Sequence, residues 1–149
     1  MRIVFIVLAS IALALPVAVA YGAETLVCDY KEKFSDGGWR EAGVILTLQG
    51  NAVTGISYHN AIASGKEGGG YVCAFDASVS DGNSTWTRQN GLTLVELKSV
   101  KKSTFEIRKS KTGFTIRFLE MPSEYCGFGA EFPESVGLDR GKKRCRVKF

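Results

Sequence analysis

Only one histidine, His59, occurs in the 149 residues. It follows a run that ends at Tyr58, and no motif sets a serine or a reduced cysteine beside it, so mechanisms built on an imidazole base and an activated nucleophile gain no support. Cysteines are sparse and widely spread. Cys28, Cys73, Cys126 and Cys145 include no close pair, and with a single histidine the ligand spacings of a zinc site are missing. No linker, internal repeat or low-complexity stretch divides the chain, and no apolar period of 3.6 residues is sustained long enough to define a helix. Charge of one sign is not in large excess either. Lys and Arg total 19 against 15 Asp and Glu, a net charge of +4, too mild to point to nucleic acid. No cofactor motif is present.

The one long apolar run stands at the start. Met1 and Arg2 are followed by an almost unbroken apolar run from Ile3 to Val19, and Ala18-Val19-Ala20 supplies the small residues at which a signal peptidase cuts. The run approaches the lower limit of a spanning helix, but Pro16, the small residues before Tyr21 and the single flanking charge favour cleavage over a retained anchor. Residues 1–20 are therefore read as a signal peptide and residues 21–149 as a single secreted β-domain, periplasmic or extracellular. All four cysteines lie beyond the cut, where an oxidising compartment makes disulfides the default.

Short runs rich in Val, Ile, Thr, Phe and Tyr recur through the mature chain between clusters of Gly, Asn, Asp and Ser. Val44, Leu46 and Leu48 alternate with Ile45 and Thr47. Gln49-Gly50-Asn51 then turns the chain into Val53 to Tyr58, a hairpin with residues that tolerate positive φ. A second hairpin alternates Phe105 and Ile107 with Glu106 and Arg108, turns between Lys109 and Gly113, and returns through Phe114, Ile116 and Phe118. Further strands are expected at Thr25 to Tyr30, Tyr71 to Phe75, Ser84 to Arg88, Leu92 to Lys98 and Arg144 to Lys148. The expected fold is all-β, a small antiparallel barrel or sandwich of about eight strands with two disulfides. Trp39 and Trp86 are assigned to its core.

Four cysteines allow three connectivities. Cys28 and Cys73 fall in expected strands, whereas Cys126 and Cys145 bracket a loop with Gly127, Gly129, Pro133 and Gly137 that would be loose without a bridge. The pairing expected is Cys126 with Cys145 and Cys28 with Cys73, each link worth about 2–4 kcal/mol.

Two carboxylates at the right separation suffice for glycoside hydrolysis, and Glu41, Glu67, Asp76, Glu120, Glu124, Glu131 and Glu134 are available, but spacing in a β-protein does not select a pair. They are read as solvated acids, and the chain as a binding protein with no catalytic residue. Asp76 to Asn83 could offer oxygen ligands to calcium, yet it lacks the EF-hand spacing and reads as a turn. No metal site is assigned. Asn83-Ser84-Thr85 has the form of a glycosylation acceptor. After Asp139 the tail holds Arg140, Lys142, Lys143, Arg144, Arg146 and Lys148 and no further acid. Such a tail suits an edge strand guarded by cations, or a patch that docks on an anionic envelope surface.

The segment from Ala61 to Tyr71 stands apart: Gly68-Gly69-Gly70 would weaken a strand, so a loop of unusual shape joins the runs at Tyr58 and Tyr71. Loops on a rigid β-scaffold are where binding is commonly mounted. Cys28, Tyr58, Ser64, Gly65 and Tyr71, followed by Trp86, Gly91 and Val95, resemble in their order the inhibitors of C-type lysozyme that bacteria place in the periplasm or on the outer membrane. The resemblance spans Cys28 to Val95. Members of that family are small antiparallel β-barrels whose Ser-Gly-x-x-Tyr loop enters the lysozyme cleft. Here the loop is longer between Gly65 and Tyr71, and the chain continues well past Val95. The resemblance implies a lysozyme as protein partner, contacted by Ser64, Gly65, Lys66 and Tyr71. The alternative function is structural, an envelope-interaction protein acting through its basic tail.

Overall fold

A computed structural model describes residues 22–65, 70–98, 103–127 and 130–149. The apolar leader at 1–20 lies outside these residues, as do Lys66 and Glu67. The described residues form ten strands: β1 (Ala23–Lys33), β2 (Trp39–Gln49), β3 (Ala52–Ala63), β4 (Tyr71–Ser78), β5 (Ser84–Gln89), β6 (Leu92–Leu97), β7 (Ser103–Lys109), β8 (Gly113–Glu120), β9 (Ser135–Asp139) and β10 (Arg146–Lys148). One 3₁₀ turn, Ser123–Tyr125, interrupts the path from β8 to β9. Two antiparallel sheets result, ordered β1-β2-β3-β4 and β10-β9-β8-β7-β6-β5. They make a sandwich and not a closed barrel, which settles the choice left open above.

Both expected hairpins are present. β2 and β3 turn at Gly50 and Asn51, with Gly50 at φ 61°, and β7 and β8 turn between Lys109 and Gly113. Alternation predicted which side chains enter the core. Val44, Leu46 and Leu48 from β2 meet Phe105 and Ile107 from β7 and Phe114 and Ile116 from β8, all buried, because a pleated strand sends every second side chain to the same face. On the other face of β7, Glu106 stands directly opposite Arg117 and bonds it at 3.1 Å. Trp86 is half-buried against the core and donates its indole N–H to the Ser84 hydroxyl at 2.9 Å. Trp39 instead lies at the sheet end beneath the Lys31 ammonium, 5.8 Å from its ring.

Two disulfides are present, but not the pairs expected. Cys28 bonds Cys145, and Cys73 bonds Cys126. The reason is sheet order. Cys28 on β1 and Cys73 on β4 occupy opposite edges of one four-stranded sheet, three strand spacings or roughly 14 Å apart, well beyond the reach of a disulfide. Each edge is instead closed by a segment from the C-terminal third. The amide of Asp29 donates to the Lys143 carbonyl at 2.8 Å and that of Cys145 to the Asp29 carbonyl at 3.0 Å; at the far edge Gly127 donates to Val72 at 2.9 Å. Both edges that would otherwise expose unpaired main chain are thus partly covered and covalently stapled.

The span between Cys126 and Cys145 is accordingly more than the loop it was taken for. Ser135–Asp139 forms β9, an inner strand of the six-stranded sheet, and the final strand is confined to Arg146–Lys148. Between β8 and β9 the chain crosses over the sandwich. Phe132 enters an aromatic cluster with Tyr58, Phe75 and Phe118, its centroid 5.5, 6.1 and 5.2 Å from theirs. Asn60, buried on β3, donates its side-chain N–H to the Glu131 carbonyl at 2.8 Å and accepts the Cys73 amide at 3.3 Å.

Tyr58 sits at the centre of that cluster, 1% exposed, with no hydrogen-bond partner for its hydroxyl. Burial pushes its ionisation well above the ordinary 10.0. A phenol kept neutral in the fold but free to ionise in the unfolded chain contributes fully below pH 10.0 and loses that contribution as the pH rises above it, at up to about 1.4 kcal/mol per pH unit. Tyr58→Phe should flatten this alkaline loss and leave neutral-pH stability unchanged or raised by about 1 kcal/mol, since an unpaired buried polar atom is removed. Urea denaturation at pH 7 and at pH 11 checks both; a substitution that destabilises at pH 7 would reveal a bonded hydroxyl.

Candidate binding loop

The loop singled out in the sequence leaves β3 at Ala63 and rejoins the sheet at Tyr71. Ser64 is exposed and Gly65 adopts φ 69°, a left-handed conformation that glycine takes without strain. Ser64, Gly65 and Tyr71 come together at the mouth of one hairpin, whose last register pair is Ile62 with Tyr71; Lys66 lies outside the described residues. The turn joining β1 and β2 stands beside this mouth. A Cβ on Gly38 would sit 2.5 Å from the Ala63 carbonyl oxygen and 3.2 Å from the Gly65 nitrogen, so only glycine permits this approach. Asp36 locks the turn by accepting the Gly38 amide at 2.8 Å.

Tyr71 is 40% exposed on a fixed base. Its neighbour Val72 accepts the Gly127 amide, and two residues on, Cys73 is bonded to Cys126. Cross-strand register places Arg40, Ile62 and Tyr71 in one row, on the face that buries Asn60 and Cys73 further along. The Arg40 guanidinium lies 3.7 Å from the centroid of the Phe149 ring and 5.6 Å from that of Phe34, stacked in the cation–π sense. This end of the four-stranded sheet therefore carries Tyr71 at the loop mouth and, in the same row toward β1, Arg40 with its aromatic rings. Arg40, Phe34 and Phe149 were not among the residues the sequence singled out, because their meeting depends on the β1-β2 register and on the chain end reaching across to β1.

The remaining candidates have structural settings. His59 is inside β3, not after it, exposed on the outer face with its ring over Gly43. Asp81 organises the turn after β4, accepting the Ser78 amide at 2.6 Å and the Asn83 amide at 2.8 Å. These bonds, the Ser78 amide first, hold its carboxyl below the usual range. Asn83 is exposed on the same turn. Hydrogen bonding also lowers Asp139, chiefly from the Thr112 hydroxyl, and Glu134, chiefly from Lys148. A general acid in glycoside hydrolysis needs the opposite shift. Among the described residues no group of three His, Cys, Asp or Glu gathers as metal ligands.

The basic tail is largely compensated. Arg140 pairs with Glu24, Lys142 and Arg146 reach Asp139 at 3.3 and 3.2 Å, and Lys148 reaches Glu134 at 2.6 Å. The cations thus tie turns and the short edge strand to the fold. No family model, no curated protein and no solved structure matches this chain.

Proposed function

We propose that the chain is an exported, disulfide-bonded β-sandwich that binds another macromolecule through the Ser64 to Tyr71 loop, with a lysozyme-type peptidoglycan hydrolase as the partner. The observation that carries this reading is the loop mouth itself: an exposed Tyr71 held on a stapled base, in one cross-strand row with Arg40. Tyr and Arg are among the residue types enriched where interfaces are anchored. The apolar leader and the two disulfides support export. The residue order shared with the lysozyme inhibitors supports the partner class. A net charge of +4 offers no attraction to a basic lysozyme, so affinity rests on loop fit and not on steering.

The mature protein is expected to slow lysis of bacterial cells by lysozyme in a turbidity assay. Ser64→Ala combined with Lys66→Ala should abolish the effect, and Ser64→Ala alone, at an exposed position, should move stability by less than about 0.5 kcal/mol. Undiminished lysis with lysozymes of several classes would overturn the partner. Full inhibition by the double variant would overturn the loop.

A further inference from the structure

A second concave site lies at the opposite end of β3 from Ser64, where the two sheets part. It is a cleft of about 440 Å³ between the β2-β3 turn on one sheet and the β5-β6 and β7-β8 hairpins on the other, within the size range of small-ligand pockets, roughly 300–1,000 Å³. Its rim carries four side-chain amides, from Gln49, Asn51, Gln89 and Asn90, and two cations, Arg88 and Lys109. No carboxylate lines it.

Three features mark this cleft as built to take a ligand. The first is its charge. Arg88 and Lys109, neither with a carboxylate partner among the described residues, stand together on a lining that holds no acid, whereas Lys31, Arg108, Arg117, Arg140, Lys142, Arg146 and Lys148 each face one. The second is the placement of Arg88. Register puts it in the inward-facing row of the six-stranded sheet, level with Thr93, Ile107 and Ile116, and it spans the gap to the other sheet by donating one Nη2–H to the Val53 carbonyl at 2.8 Å. The guanidinium is thereby oriented while its other donors stay open. The third is Thr93. Its side chain lines the cleft, and its hydroxyl makes no hydrogen bond to the described residues, so it is open to a ligand.

We infer that this cleft binds an acidic oligosaccharide, with the carboxylate of a uronic-acid-type sugar set against Arg88 and Lys109. Side-chain amides both donate and accept and so match the mixed demands of sugar hydroxyls, and a guanidinium fork matches a carboxylate. Apolar side chains of Val53 and Ile107 at the floor suit the carbon faces of a sugar ring. The inference does not rest on the loop reading, and the two sites are separated by the length of β3, twelve residues or roughly 40 Å.

The test is an NMR titration of the mature protein with tetragalacturonate, with a neutral maltotetraose and with inorganic phosphate. Tetragalacturonate is expected to shift the amides of residues 49–53 and 88–93, and to bind about tenfold or more weakly to Lys109→Gln and to Thr93→Val, the latter keeping the side chain's shape. Raising the salt should weaken it further. Arg88→Lys keeps the charge but not the fork and should lose affinity while the spectrum of the free protein stays that of the native fold. Equal binding of maltotetraose would overturn the role of charge, phosphate binding as tight as the sugar would reduce the site to an adventitious anion only, and absence of shifts with tetragalacturonate would remove the proposal. Lysozyme inhibition unaffected by Lys109→Gln would show that the two sites fail or hold independently.

Discussion

Replacing Cys28 and Cys145 together by alanine should remove about 5 kcal/mol of stability and lower the melting temperature by roughly 15–20 °C. The bridge closes a separation of 117 residues, so its loss restores much chain entropy to the unfolded state; the Cys73–Cys126 bridge closes 53 residues and should cost about 4 kcal/mol. Against a total of about 5–15 kcal/mol for a domain of this kind, either loss is large. It has a local component too. Without the first bridge, main-chain bonds between Asp29 and the segment at Lys143 and Cys145, the Arg140–Glu24 ion pair and the Tyr30–Phe149 ring contact are left to hold the C-terminal segment on β1. Hydrogen exchange should then show residues 143–148 opening before the core. Calorimetry on the two double variants, with peptide mapping of the oxidised protein, decides the matter. Peptides joining Cys28 to Cys73 would overturn the sheet order, and a melting temperature within a few degrees of the parent would overturn the entropic account.

Phe105→Ala is the second large effect, an expected loss of 3–5 kcal/mol. Phe105 is fully buried on β7, its ring 5.1 Å from Phe75 of the opposing sheet and 6.3 Å from Phe118 on the adjacent strand. It therefore joins the sheets at their midplane, and its removal leaves a cavity that close packing on both sides cannot refill. Leu94→Ala, one strand away on the outer face and 37% exposed, should shift stability by less than about 0.5 kcal/mol. Denaturant titration of the pair separates burial from mere hydrophobicity; comparable losses would mean that the outer face is covered as well.

Local alternation made much of this legible. Val44, Leu46 and Leu48, or Phe105 and Ile107 against Glu106 and Arg108, state both the strand and its buried face without further information, because the period of two is a property of the backbone. Gly50 and the Gly65 loop were equally readable, as glycine marks the places where the chain turns left-handed. Ser135–Asp139 was not. Its Gly137 and the surrounding Gly and Pro residues read as loop, and the segment becomes a strand because β8 offers it an open edge, with Phe132 and Asn60 drawing the preceding chain across the sandwich. The candidate loop was visible for the same reason its strands were, whereas the Arg40, Phe34 and Phe149 cluster beside it was hidden in registers that no single strand encodes.

By itself, then, the residue order determined an all-β chain, an apolar leader, two cysteine pairs and one glycine-rich loop, since each follows from composition and short-range pattern. Only tertiary structure decided sandwich over barrel, which cysteines meet, which cations find acids and which two are left facing a cleft. Those outcomes depend on the lateral order of strands, and lateral order is set by contacts between residues such as Cys28 and Cys145 that are far apart along the chain.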